Sequence, residues 1–88
     1  MEQEDILKGA VEKWGKEFQI MMVFEEMAEL QKELVKSLRG KSSKLMVAEE
    51  IADVLIMLDQ LKFMYSCHSL VDNIRKVKME RLEVLLKK

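Results

Sequence analysis

Proline is absent from all 88 residues of this chain, and glycine occurs only at Gly9, Gly15 and Gly40. Proline and glycine are the two residues that most readily interrupt a helix, so long stretches of the sequence carry no local reason to stop being helical. Leu, Met, Glu, Lys and Ala supply much of the remainder, and all five are strong helix formers. The chain is expected to be all-α, a single domain over residues 1–88 built as a helical hairpin or bundle of about four helices.

The few breaks define those helices. Trp14-Gly15 weakens a first helix near 3–14. Arg39-Gly40-Lys41-Ser42-Ser43 reads as a C′ glycine followed by serines able to cap the next helix. Ser66-Cys67-His68-Ser69 supplies a third break, with Ser69-Leu70-Val71-Asp72 resembling a capping box that opens a last helix. The expected spans are 3–14, 17–39, 44–66 and 69–87, and the short loop between the two long helices makes them antiparallel neighbours.

A monomer of this size buries only about 60 to 65% of the surface its unfolded chain exposes. Yet 49% of the residues are hydrophobic, with eight methionines that serve as core and interface filler. Oligomerisation is the natural outlet, so a homodimer or homotetramer is expected to complete the bundle. Fifteen basic residues against sixteen acidic ones give a net charge of −1, which offers no reason to expect nucleic acid or a membrane surface as a partner. No stretch approaches the roughly 20 apolar residues of a membrane span. The lone Cys67 cannot close an intramolecular disulfide, and the acidic start Met1-Glu2-Gln3-Glu4-Asp5 lacks a signal-peptide pattern, so a cytoplasmic setting is expected.

At 100° per residue, the second helix sets Val23, Met27, Leu30, Leu34 and Leu38 on an apolar face and Glu25, Glu26, Glu29 and Glu33 opposite. The third helix is apolar nearly all round, as expected of a buried helix, and within it Met46, Glu50, Asp53 and Met57 share one stripe. Isolated charges in such surroundings are costly unless protonated, paired with bases or neutralised by a cation. Glu26 and Glu29 repeat the same i, i+3 spacing on the neighbouring helix, so four acids can converge. Carboxylate oxygens suit hard cations, and Mg²⁺ characteristically takes about one or two protein carboxylates and fills its other positions with water and phosphate oxygens. The expected metal ligands are Glu26, Glu29, Glu50 and Asp53, for Mg²⁺ with Mn²⁺ able to substitute. Glu25, Glu33 and Glu49 stand close enough in sequence to orient water or assist a further ion.

The segments Phe24-Glu25-Glu26-Met27-Ala28-Glu29-Leu30 and Ala48-Glu49-Glu50-Ile51-Ala52-Asp53-Val54-Leu55 resemble the two core motifs of the MazG-like nucleotide pyrophosphohydrolases. These belong to the all-α NTP pyrophosphatases, whose hallmark is E-x-x-E and then E-x-x-D across a helix-loop-helix. Trp14-Gly15 through Gln19 is similar to the upstream segment of short, phage-type members, and the resemblance spans about residues 6 to 82. It implies the same four metal ligands and Mg²⁺-dependent hydrolysis of a nucleoside triphosphate to the monophosphate and pyrophosphate. A flanking glutamate, Glu25 or Glu49, would take the proton of the attacking water. Lys78-Met79-Glu80-Arg81 matches a late K-x-x-R pair of the family, which implies cations for phosphate, although its flanking residues differ and plain surface charge is the other reading.

Gln19 lies seven residues before Glu26 and so on its face, where its amide could meet a base. Trp14 could stack on that base or anchor a core or an interface. His68 reads as a loop residue, and Cys67 has no partner for nucleophilic chemistry. The competing class is a non-catalytic helical dimerisation or partner-binding module in which the acids only solubilise the surface.

Overall fold

A computed structural model describes residues 1–88 as four α-helices with no strand: α1 Gln3–Trp14, α2 Lys16–Leu38, α3 Lys44–Met64 and α4 His68–Leu86. Every helix end lies within two residues of its predicted position.

The connections explain why the ends fall there. Gly15, between α1 and α2, adopts φ 90°, ψ 151°, a conformation essentially closed to residues with a Cβ. α2 ends in a Schellman motif: Lys41 N–H donates to the Lys36 carbonyl at 2.9 Å and Gly40 N–H to Ser37 at 3.0 Å, with Gly40 left-handed at φ 70°. Ser43 then caps α3, its Oγ accepting from Met46 N–H at 3.2 Å, as the serine pair predicts. α3 ends in a second Schellman motif, with Cys67 N–H on the Lys62 carbonyl and Ser66 N–H on Phe63. Here the left-handed residue is Ser66, at φ 51°. That motif hands the chain directly to α4, whose N-cap is Cys67 with no side-chain cap. The predicted capping box at Ser69-Asp72 therefore does not form, because the backbone turn has already drawn Ser69 inside the helix.

α2 and α3 pack as an antiparallel hairpin. The six buried side chains form its seam, with Gln19, Val23 and Glu33 on α2 facing Val54, Met57 and Gln60 on α3. The spacings of four and three residues through Gln19, Val23, Glu26, Leu30 and Glu33 follow the stripe of a helix–helix contact. Only part of the predicted apolar face of α2 packs: Val23 is buried and Leu30 half-buried in the seam, but the rest is not covered. Leu34 is 45% and Leu38 89% exposed, while Glu33 is buried and Glu26 half-buried. The seam runs between the two stripes, taking Val23 and Leu30 from the apolar face and Glu26 and Glu33 from the carboxylate face, while Glu25 and Glu29 stay exposed. Nor is α3 enclosed: Ile51, Leu55 and Ile56 are each exposed, and only its seam side is covered. α1 lies across the open end of the hairpin, with Lys8 Nζ 5.7 Å above the Phe63 ring. Lys16 Nζ, at the start of α2, sits 4.4 Å above Tyr65. α4 touches only α3 and contributes no buried residue. No helix is long and apolar enough to cross a membrane.

Candidate metal centre

Because α2 and α3 run antiparallel over a short loop, the i, i+3 acid pairs of the two helices face each other halfway along the seam. One carboxylate oxygen from each of Glu26, Glu29 and Glu50 lies within 4.8 Å of the others. Glu26 and Glu50 are half-buried, and Glu29 is exposed. Glu26 Oε2 and Glu50 Oε2 are each closed off from solvent and accept no hydrogen bond. None of the ion pairs in the chain involves these three residues.

Burial pushes the carboxyls of both Glu26 and Glu50 above their ordinary value, with repulsion from Glu29 and then Asp53 adding to it. For Glu26 the further contributors are Glu50 and Glu25, and for Glu50 they are Glu33 and Glu49. Every charge felt at the centre is negative. A deprotonated pair held there without compensation is unfavourable, since each enclosed oxygen has given up water and gained no donor.

The residues fit a hard cation on those grounds. Two enclosed oxygens accept no hydrogen bond, and the donor set is entirely oxygen, the kind of ligand such a cation takes. Exposed Glu29 leaves one side open, as an ion that keeps several waters requires. Exposed Asp53, the fourth expected ligand, is not one of the three clustered carboxylates and acts on Glu26 and Glu50 through its charge.

The other expected site residues are dispersed. Glu25 and Glu49 are exposed, next to Glu26 and Glu50 in sequence. Glu33 is committed elsewhere: Ser42 Oγ donates to its Oε1 at 2.5 Å, and Lys36 Nζ stands 3.9 Å from its Oε2. This ties the loop down instead of serving an ion. Gln19 is not free for a base, because its Nε2 donates to Gln60 Oε1 at 2.6 Å and both amides are buried. Trp14 is 53% exposed at the end of α1, with Lys13 Nζ 5.3 Å above its ring. Lys78 and Arg81 line a shallow groove on exposed α4 with Ile74 and Val77, and neither acts on the carboxylates of their own chain.

Gln60 and Ser42 are the partners that sequence reasoning missed. A signal for Gln60 was present: it stands seven residues after Asp53, as Gln19 stands seven before Glu26, so the two amides occupy equivalent places on facing stripes. No family model, curated protein or solved structure matches the chain.

Proposed function

We propose that the chain is a metal-dependent nucleoside triphosphate pyrophosphohydrolase, acting on a triphosphate to give the monophosphate and pyrophosphate. The observation that carries this reading is that Glu26 and Glu50, each with an enclosed, unbonded oxygen, bring carboxylate oxygens from two helices together with that of Glu29. The E-x-x-E and E-x-x-D motifs that contain these residues support the choice of substrate class.

Glu26, Glu29, Glu50 and Asp53 would hold Mg²⁺, or Mn²⁺ in its place. When bound, such an ion supplies positive charge for a triphosphate and lowers the pKa of water. The chain's own groups account for the rest. A water oxygen bonds to the α-phosphorus, the α–β bridging bond breaks and pyrophosphate leaves. The proton released passes to a flanking carboxylate, for which exposed Glu25 and Glu49 are the candidates. Lys78 and Arg81, which do not act on Glu26 or Glu50 in their own chain, are the proposed cations for phosphate, and the proposed working unit is a homo-oligomer.

The test is pyrophosphate release from a panel of ribo- and deoxynucleoside triphosphates with Mg²⁺. Wild type releases it, and Glu50→Gln and Asp53→Asn do not. Absence of release from every nucleotide, with no change in melting temperature on adding Mg²⁺ or Mn²⁺, overturns the reading and favours a non-catalytic helical module.

A further inference from the structure

The net charge of −1 conceals an uneven distribution. Residues 32–44 hold five of the fifteen basic residues, Lys32, Lys36, Arg39, Lys41 and Lys44, and only one of the sixteen acids, Glu33. That single acid is buried and already bonded to Ser42. All five cations are exposed, and only Lys36 has an acidic partner, at 3.9 Å from Glu33. The end of the hairpin where α2 turns into α3 is therefore a positive patch on a chain that is otherwise acidic.

The same turn carries uncovered apolar groups. Apart from Met1 and Leu86 near the chain ends, Leu38 and Leu45 are the most exposed large apolar side chains, at 89% and 68%. Leu38 is the last residue of α2 and Leu45 the second of α3, so the two flank the Arg39–Ser43 connection. α1 lies across the other end of the hairpin and α4 makes no contact with α2, which leaves the turn uncovered on the α2 side. At its crest, nothing stands within 4 Å of a Cβ placed on Gly40.

The mixture of charge and leucine selects the occupant. Cations alone would suit any polyanion, a nucleic acid included. A nucleic-acid backbone offers a leucine nothing, however, and the turn has no aromatic side chain on which a base could stack. An anionic bilayer surface takes both groups: leucines enter the boundary between headgroups and acyl chains, while lysine and arginine stay with the phosphates. α4 is the other basic amphipathic element, but it intersperses three acids, Asp72, Glu80 and Glu83, with four cations, so its field is largely cancelled.

We infer that the α2–α3 turn is a docking site for an anionic lipid surface, with Leu38 and Leu45 inserted and Arg39, Lys41 and Lys44 over the headgroups. No helix is long and apolar enough to cross the bilayer, so attachment through this turn is peripheral. Leu38 lies nine residues beyond Glu29, about 14 Å along α2, so the carboxylate centre stays clear of the surface. The inference stands without any catalytic reading.

The test is co-sedimentation of the full wild-type chain with vesicles in EDTA, which removes any contribution of divalent cations. Vesicles of phosphatidylcholine and phosphatidylglycerol in roughly equal parts should bind the chain, and phosphatidylcholine alone should not. Binding should weaken as salt is raised. Arg39→Gln with Lys41→Gln should weaken it about 20- to 30-fold, at about fivefold per cation. Leu38→Ser should weaken it about tenfold, as for a leucine that leaves water, and Lys76→Gln on α4 should leave it unchanged. No binding to anionic vesicles, equal binding to neutral ones, or full affinity in the turn variants each overturns the inference. Duplex DNA bound more tightly than the anionic vesicles, with no effect of Leu38→Ser, overturns it in favour of a nucleic acid. The comparisons of lipid and salt use wild type, so they decide the matter even where a variant fails to fold.

Discussion

Gln19 Nε2 and Gln60 Oε1 are joined by a 2.6 Å hydrogen bond across the α2–α3 seam, and each side chain is only 5% exposed. The pair lies two helical turns, about 10 Å, from the Glu26 level of the seam, beyond Val23 and Met57. A buried polar pair of this kind fixes how one helix sits along the other, since any slip leaves both amides without partners.

Removing half of the pair should therefore cost more than removing all of it. Gln19→Ala is expected to lose about 1–3 kcal/mol, the penalty for a buried amide left unpaired. Gln19→Leu with Gln60→Leu should be close to neutral in stability, since apolar pairs of similar size often replace buried polar ones without loss. Urea midpoints of the two variants measure the difference. A double variant as unstable as Gln19→Ala would show that the amides contribute by more than satisfying each other.

Metal-free protein should be more stable in mild acid than at neutral pH. The folded carboxyls of Glu26 and Glu50 lie above the ordinary 4.5, so the folded state holds protons that the unfolded chain releases. Their contribution to stability is lost as pH rises from about 4.5 through the raised folded values, and it returns on acidification. Glu50→Gln should raise the melting temperature of chelator-treated protein at neutral pH and flatten this dependence. Melting curves in EDTA across the mildly acidic to neutral range measure both effects, and a flat wild-type profile would contradict the burial and repulsion of these carboxyls.

Divalent cations should act on the same residues in the opposite direction. At a concentration about 100 times the dissociation constant, Mg²⁺ bound only by the folded state adds about 2.7 kcal/mol. For a domain of this size each kcal/mol is worth about 4–8 °C in melting temperature. Glu26→Gln should reduce that shift, and Glu33→Gln, whose side chain serves Ser42, should leave it in place. Thermal melts with and without Mg²⁺ compare the three proteins.

The two left-handed turn positions predict opposite responses to similar changes. Ser66 holds φ 51° at a Schellman position where glycine is favoured, so Ser66→Gly should stabilise by about 0.5–1 kcal/mol. Gly15, at φ 90° and ψ 151°, should not accept a Cβ, and Gly15→Ala is expected to cost about 1–3 kcal/mol even though nothing stands within 4 Å of the added atom. Chemical denaturation of both variants reads the two signs directly.

Helix number and helix ends were legible because they depend on local chemistry: Gly15 and Gly40 as breaks and Ser43 as a cap each act within a few residues. The convergence of Glu26, Glu29 and Glu50 was legible for a related reason, since equal i, i+3 spacings on antiparallel neighbours must face each other at some point. The rotation of α2 was not. Its leucine stripe and its carboxylate stripe are both well formed, and the seam falls between them, where Gln19 pairs with Gln60 and Glu33 with Ser42. Gln19, expected to face a base, and Glu33, expected only as one of three glutamates near the site, are polar residues that this seam buries. Ser69 failed as a cap because the competing signal at Ser66 is a backbone geometry that a serine rarely announces.

The brevity of the Arg39–Ser43 connection has a kinetic consequence. With a Schellman turn at one end and a serine cap at the other, α2 and α3 need close only a short loop to meet, and the chain has no proline to isomerise. The hairpin should form within microseconds to milliseconds, as for other helical chains dominated by local contacts. With the proposed homo-oligomer as the working unit, any slower phase seen in refolding should then depend on protein concentration, because the subunits must meet.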